Sequence, residues 1–337
     1  MLTEAGETEM TVPACLWRRA SLRSALLLVL LLPLGGCYYL QAAAGQAEVL
    51  SSREPIDAVI ADEATSPALK ARLTLVREAR NFAVAALGLP DNETYRSYAA
   101  LGRPYVAWNV FAAPEFSVEP KTWCFPIAGC VAYRGYFKEA AARDYAASLS
   151  RRGYDVYVGP VPAYSTLGHF NDPLLDTMLR YDDLDLVAIL FHELAHQVTY
   201  RPGETEFNEA FATVVEYEGL QRWLASRGEQ AQIDTFRERR RRQVAVAQRL
   251  LAARDELAAL YASEAAISGK REAKAAVFAQ LRSSHVDGEL NNARLAAVAA
   301  YERCVPVFES LLRREGGDLP AFYAAVRRLS PDTCTFP

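Results

Sequence analysis

Apolar positions change their spacing along this chain, and the change predicts two kinds of structure. From Pro67 to Leu87, the residues Leu69, Leu73, Val76, Ala79 and Phe82 recur at three- and four-residue intervals, the mark of a helix with one buried stripe. The run Leu87-Gly88-Leu89-Pro90-Asp91-Asn92 ends that helix with breakers. A helical stretch also fits the residues from Tyr38 to about Asp62. The segment Tyr105 to Phe111, the aromatic segment Phe125 to Phe137 with Gly129 and Gly135 inside it, the alternating Tyr154 to Val158 and the piece Ala163 to Leu167 read as extended. Lys138 to Arg152 reads as a helix between them. From Leu174 onward Ala, Leu, Arg and Glu dominate, and nearly everything is expected to be helical. The pattern predicts an α+β fold, predominantly helical, with a small mixed β-sheet in the first half. It also predicts one unit over residues 37–337, with a mixed part at 37–172 and a helical part at 173–337.

The first residues read as a targeting segment. Arg18, Arg19 and Arg23 precede the apolar run Ala25 to Leu32, and Gly35-Gly36 follows, so residues 1–36 are expected to be a secretory signal peptide. The run is far shorter than the ~20 residues a membrane-spanning helix needs. Leu34-Gly35-Gly36-Cys37 resembles a bacterial lipobox, which implies lipid on Cys37 and attachment to a membrane of the cell envelope. Tyr38 after that Cys favours the outer membrane, facing the periplasm. Four further cysteines remain, Cys124, Cys130, Cys304 and Cys334, and an even number in an oxidising compartment suggests two disulfides. Of the three possible connectivities, Cys124–Cys130 with Cys304–Cys334 is the simplest.

Half of the chain is apolar and its formal net charge is −4 over 337 residues, so a large core is available and the basic excess of a nucleic-acid binder is missing. No nucleic-acid partner is expected. The one basic run, Arg237-Glu238-Arg239-Arg240-Arg241-Arg242, reads as a solvated stretch of helix, because Asp234 precedes it and Glu238 interrupts it.

The decisive stretch is Ile189-Leu190-Phe191-His192-Glu193-Leu194-Ala195-His196-Gln197-Val198. Two His four positions apart on a helix share a face one turn apart, so both imidazoles can reach one metal ion. Glu193 stands beside the first ligand, where a carboxylate can take a proton from water at a zinc ion. Glu193 is the one charged side chain in the apolar run Leu186 to Val198, an arrangement that is costly unless the charge has a role. Two of the four His in the chain fall in this pattern. A catalytic zinc wants a third protein ligand, best sought in Phe207-Asn208-Glu209-Ala210-Phe211-Ala212-Thr213-Val214-Val215-Glu216-Tyr217. Arg201-Pro202-Gly203 breaks the first helix, and a second starting near Glu206 would return Glu209 opposite the two His. Glu204, Glu206 and Glu216 are the alternatives.

HELAHQ followed by NEAFATVVEY resembles the gluzincin metallopeptidases, aminopeptidase-N-like enzymes above all. The matching residues are His192, Glu193, His196, Asn208, Glu209, Phe211 and Ala212. The connection between His196 and Glu209 is shorter than in that group. The lipobox, YYLQAAAGQ, YRGYF, YSTLGHFNDP, HELAHQ and FNEAFATVVEYEG together resemble a bacterial family of predicted aminopeptidases over almost the whole mature chain. The resemblance implies a zincin-like fold, zinc held by His192, His196 and Glu209, Glu193 as general base and a peptide substrate. The amine-binding G-x-M-E-N motif of aminopeptidase-N-like enzymes is missing from the sequence. For the transition-state oxyanion the chain offers His169, His285, Tyr200, Tyr261 and Tyr301. His169 ranks first, because Ser165 to Gly168 resembles an edge strand that could hold an extended substrate.

Overall fold

The structure, a computed structural model, describes residues 36–125, 129–163, 165–284, 286 and 288–334. The chain divides into two units, residues 1–46 and 47–337. Helix α1 (Gly36–Ser51) supplies the described part of the first and runs on into the second. The signal peptide and the lipid site expected at Cys37 lie outside the described residues, apart from the backbone of Gly36 and Cys37 in α1. No helix among the described residues is long and apolar enough to cross a membrane.

In the second unit the helix expected to reach Asp62 is interrupted. A short strand β1 (Arg53–Pro55) follows α1, and α2 (Ile56–Ala61) starts afresh. Pro55 explains the break, since it has no N–H to give and pushes the residue before it out of helical geometry. Helix α3 (Pro67–Leu87) is as predicted. Ser66 caps it by accepting the Leu69 N–H, Pro67 opens its first turn, and Gly88 closes it in the left-handed region at φ 67°. Its stripe of Leu73, Val76, Ala79, Ala83 and Leu87 is fully buried.

The β-structure departs from the expectation of one mixed sheet: the described residues form three small sheets. The mixed one joins β1, β2 (Ser97–Ala99) and β8 (Leu174–Leu175), antiparallel then parallel. An antiparallel sheet has β3 (Ala107–Pro114) at its centre, between β6 (Arg134–Tyr136) and β7 (Tyr154–Val161). A separate hairpin of β4 (Trp123–Phe125) and β5 (Gly129–Val131) pairs Cys124 directly with Cys130, and these two form a disulfide. Cys304 and Cys334 form the other. Along β3 the period of two sends Phe111 and Ala113 into a cluster with Ala293 and Ala297 of α9 (Asn292–Glu302). The opposite face, with Val110 and Ala112, meets α4 (Glu139–Ser150).

The expected strand from Ala163 to Leu167 is corrected: Tyr164 lies outside the described residues, and the rest is a turn. Leu167 at φ 59° and Gly168 at φ 81° reverse the chain. Asp172 fastens the turn, accepting the Thr166 N–H at 2.8 Å and the Thr166 hydroxyl at 2.8 Å.

The rest is helical: α5 (Asp183–Ala195), α6 (Thr205–Ser226), α7 (Gln230–Ala262), α8 (Ile267–Ser283), α9, α10 (Val305–Arg314) and α11 (Leu319–Arg327). The main core joins α3, α5, α6, α10 and α11, with Phe207, Phe211, Phe308, Phe322 and Tyr323 in ring contact. The arginine run on α7 is more than a solvated face. Arg239 bonds Asp185 at 2.6 Å and Asp182 at 3.0 Å at the start of α5, and Arg240 grips Glu302 of α9 with two bonds of 2.9 and 3.0 Å. Arg241 and Arg242 face solvent beside Glu238. The adjacent Arg239 and Arg240 thus bind α7 to two different helices, which a linear charge pattern does not reveal.

The disulfide-closed hairpin touches the connection between α5 and α6. Gly129 has φ 73°, and a Cβ there would lie 2.6 Å from Gly203 N and 2.8 Å from the Pro202 carbonyl carbon. Gly129→Ala is therefore expected to cost about 2–3 kcal/mol, the left-handed strain plus displacement of backbone. Thermal melting should fall by roughly 5 °C or more. An unchanged melting temperature would show that the hairpin does not brace this connection.

Candidate metal centre

Helix α5 begins with Asp182 as its cap, accepting the Asp185 N–H, and buries Leu186, Val187, Leu190, Phe191, Leu194 and Ala195. Little of it stays open beyond the face that carries His192, Glu193 and, just past its last turn, His196. Helix α6 packs closely against it, and Gly219 permits the approach: a Cβ there would stand 3.0 Å from Phe191 Cδ2 and 2.8 Å from Leu87 Cδ1. The intervening turn is held by Asn208. Its Oδ1 accepts the Arg201 N–H and its Nδ2 donates to the Arg201 carbonyl, both at 2.8 Å. Arg201 lies 3.8 Å over the Phe207 ring and donates to the carbonyl of Leu329. That double bond accounts physically for Asn208 preceding Glu209.

The result brings His192, His196 and Glu209 together. One ligand atom from each lies within 4.8 Å of the others. His192 Nε2 stands 3.3 Å and His196 Nε2 3.8 Å from Glu209 Oε2. Tetrahedral bonds of ~2.0–2.1 Å separate ligand atoms by about 3.4 Å, so the set fits a single divalent ion with little movement. All three are buried or nearly so. Glu216, one of the alternatives for third ligand, takes another place: His192 Nδ1–H donates to its Oε2 at 2.9 Å, fixing the tautomer that leaves Nε2 free for a metal. Glu204 instead pairs with Arg201. Glu206 lies among the charges of Arg303 and Arg254. His196 Nδ1 is buried without a hydrogen-bond partner among the described residues.

The electrostatics suit a cation. Burial works against the charged form of His192, yet bonds to Glu209 and Glu216 hold its imidazole well above the usual range. Burial pulls His196 down to about 4, keeping it neutral and able to donate a lone pair. Burial pushes the Glu193 carboxyl up to about 7, with His192 opposing and Glu209, Asp172 and Glu216 adding to the rise. A carboxylate poised near neutrality is what a general base requires.

His169 is not brought into this cluster. It is exposed, in the turn its own N–H closes onto the Thr166 carbonyl. The adjacent Gly168 does face Gln197: a Cβ there would lie 3.6 Å from its Oε1. His285 lies outside the described residues. Tyr261 donates to Asn292 at 3.0 Å. Two tyrosines are nearer the metal residues: burial and the charge of Glu209 raise Tyr200, and burial, Glu209, Tyr133 and Glu193 raise Tyr301.

A support for the end of α5 escapes the sequence reading. The buried Arg80 of α3 donates to the carbonyls of Pro90, Asn92 and Thr94, shaping their loop. Asn92 Nδ2 then donates to Gln197 Oε1 at 2.6 Å, and Gln197 Nε2 to Thr94 Oγ1 at 3.2 Å. The residue after His196 is thus held from both ends of its amide.

Asp172, 3% exposed, is near enough to Glu193 to influence it. Burial pushes its carboxyl up to about 6 from 3.8, opposed by the Thr166 bonds and the charge of Arg53. Because the folded value is raised, its contribution to stability is complete below pH ~4 and is lost as pH rises through about 6. Asp172→Asn keeps an acceptor for Thr166 and should remove that loss. Relative to the parent it is expected to gain about 1–3 kcal/mol more at pH 8 than at pH 4 in urea unfolding. A difference that does not vary with pH would contradict this.

No curated protein and no solved structure matches the chain. The family described as "Putative aminopeptidase" matches residues 37–334, nearly the whole length beyond the first residues, and the chain belongs to that family.

Proposed function

We propose that this protein is a zinc-dependent aminopeptidase with a zincin-like arrangement of its two metal helices. The observation that carries the reading is the convergence of three ligand atoms within 4.8 Å of one another, beside a half-buried Glu193 that is not among them. Three neutral or anionic protein donors leave one position open, the pattern of a catalytic rather than a structural zinc. Zinc, when bound there, would polarise the scissile carbonyl and lower the pKa of the attacking water. Glu193 takes the proton from that water and delivers it to the leaving amine as the C–N bond breaks. Glu216 orients His192 through Nδ1. Tyr301, whose phenol is kept protonated by burial and nearby carboxylates, donates a hydrogen bond to the oxyanion.

The test is metal content measured together with cleavage of paired peptides, free or N-acetylated. One zinc per chain and turnover confined to free amino termini are expected. Equal turnover of acetylated peptides would convert the reading to an endopeptidase. Full zinc without turnover of either would leave a structural metal.

A further inference from the structure

An open cleft of about 610 Å³, with Tyr301 in its lining, is walled by β3 and β7 on one side and by α7 and α9 on the other. Its lining is mainly apolar: Phe111, Tyr157 and Val161 from the sheet, Val246 and Leu250 from α7, Val298 from α9. One stripe of α9 runs its full length. Arg294, Ala297, Val298 and Tyr301 stand at the i, i+3, i+4 and i+7 positions and all face the cleft. Tyr301 is the end nearest the chemistry, because α9 packs on α6 and its phenol feels the carboxylates of Glu209 and Glu193. Arg240 holds this end of α9 through Glu302.

The far end is cationic. Arg294 donates to the Glu289 carbonyl and lies 5.6 Å over the Tyr157 ring, and it makes no ion pair among the described residues. Gly288 gives it room, for a Cβ there would run into Nη1. Arg242, mostly exposed and paired with Glu238, lines the cleft from α7 two residues beyond Arg240, at the opposite, Glu302 end. A cleft with an apolar floor, one end at the catalytic residues and an uncompensated guanidinium at the other fits an amphipathic chain ending in a carboxylate.

We propose that this cleft holds the part of the substrate on the leaving side of the scissile bond, and that the preferred substrates are short peptides with bulky apolar residues there and a free C-terminal carboxylate met by Arg294. The proposal rests on the peptidase reading and specifies its substrate class. Length supports it. Seven residues of α9 separate Tyr301 from Arg294, about 10.5 Å along the helix. At ~3.3–3.6 Å per extended residue, that distance accommodates roughly two to three residues beyond the bond. Longer chains would have to leave past Arg294, and charged or glycine-rich ones would forgo burial of apolar area in the cleft.

The experiment compares Ala-Leu-Phe, its C-terminal amide and Ala-Gly-Gly as substrates of the zinc-loaded protein. Arg294→Gln and Gln243→Trp serve as variants, the latter at the exposed rim of the cleft. The parent is expected to favour the free acid over the amide and Phe over Gly by roughly tenfold or more in kcat/KM, mainly through KM. Arg294→Gln should erase the first preference and Gln243→Trp the second, with zinc content and melting temperature unchanged. Equal use of acid, amide and glycine peptide by an active parent would overturn the proposal and leave the peptidase reading intact. Should no peptide be turned over, the peptidase reading fails, and calorimetric binding of Ala-Leu-Phe to the Glu193→Gln protein decides the cleft separately. Absence of binding, or binding untouched by Arg294→Gln, would overturn the proposal there too.

Discussion

Glu193→Gln is expected to lower kcat by about 10²–10⁴-fold while leaving zinc stoichiometry and melting temperature as they were. The substitution keeps the size and planar shape of the side chain and removes its capacity to accept and return a proton. Its oxygen is not among the three ligand atoms, which come from His192, His196 and Glu209. Nor does any ion pair hold the carboxylate in place among the described residues, so structural loss should be slight. The surroundings are strongly anionic: Glu209, Asp172 and Glu216 all act on Glu193. Neutralising one member of that group relieves repulsion, and a small gain in stability of the metal-free protein is compatible with the reading. Single-turnover cleavage together with metal analysis separates the cases. A variant that retains zinc and turns over at the parental rate would mean that water is activated elsewhere, and the assignment of Glu193 would be wrong.

The cluster of His192, His196 and Glu209 was legible because its parts are related locally. Helical spacing alone puts His192 and His196 on one face, and the breakers Arg201-Pro202-Gly203 announce the return of the chain towards Glu209. The place of Glu216 had a signal as well: it lies seven residues after Glu209, two turns along the same face of α6, and so points back at the same histidines. Considered only as a rival ligand, it turns out to hold the other nitrogen of His192. By contrast, the brace on Gln197 connects residues about a hundred positions apart, through side chains with many possible partners. No period or motif encodes such a pairing. The sheets were blurred for another reason. Strands such as β4, β5 and β6 have three residues each, too few for an alternation to declare itself. The piece Ala163 to Leu167 looked extended because its β-branched and aromatic composition speaks for a strand. The Asp172 carboxylate outweighs that tendency by satisfying Thr166 locally. The arginine run had the composition of a solvated surface, and only the positions of Asp182, Asp185 and Glu302 on neighbouring helices make it a set of clamps.

Glu209→Ala should weaken zinc binding by roughly 10²–10³-fold and abolish turnover at sub-saturating metal. The magnitude follows from structural zinc sites, where four protein ligands contribute about 10–16 kcal/mol in total, or about 3 kcal/mol each. The fold should survive the change, because α6 is anchored by Phe207 and Phe211, which point into the aromatic core with Phe308 and Phe322. Glu216→Gln provides the graded comparison. Its Oε2 reaches His192 Nδ1 and not the face where the three ligand atoms meet, so it orients a ligand without being one. The expected loss of affinity is then about 10–100-fold. The order of the two losses, read by competition with a chromogenic chelator, distinguishes the roles. If Glu216→Gln lost more metal than Glu209→Ala, the histidine would have to bind through Nδ1 and the ion would lie on the other side of the ring. Glu193 and Tyr301 would then be facing the wrong place, and both the peptidase chemistry and the cleft that begins at Tyr301 would lose their common centre.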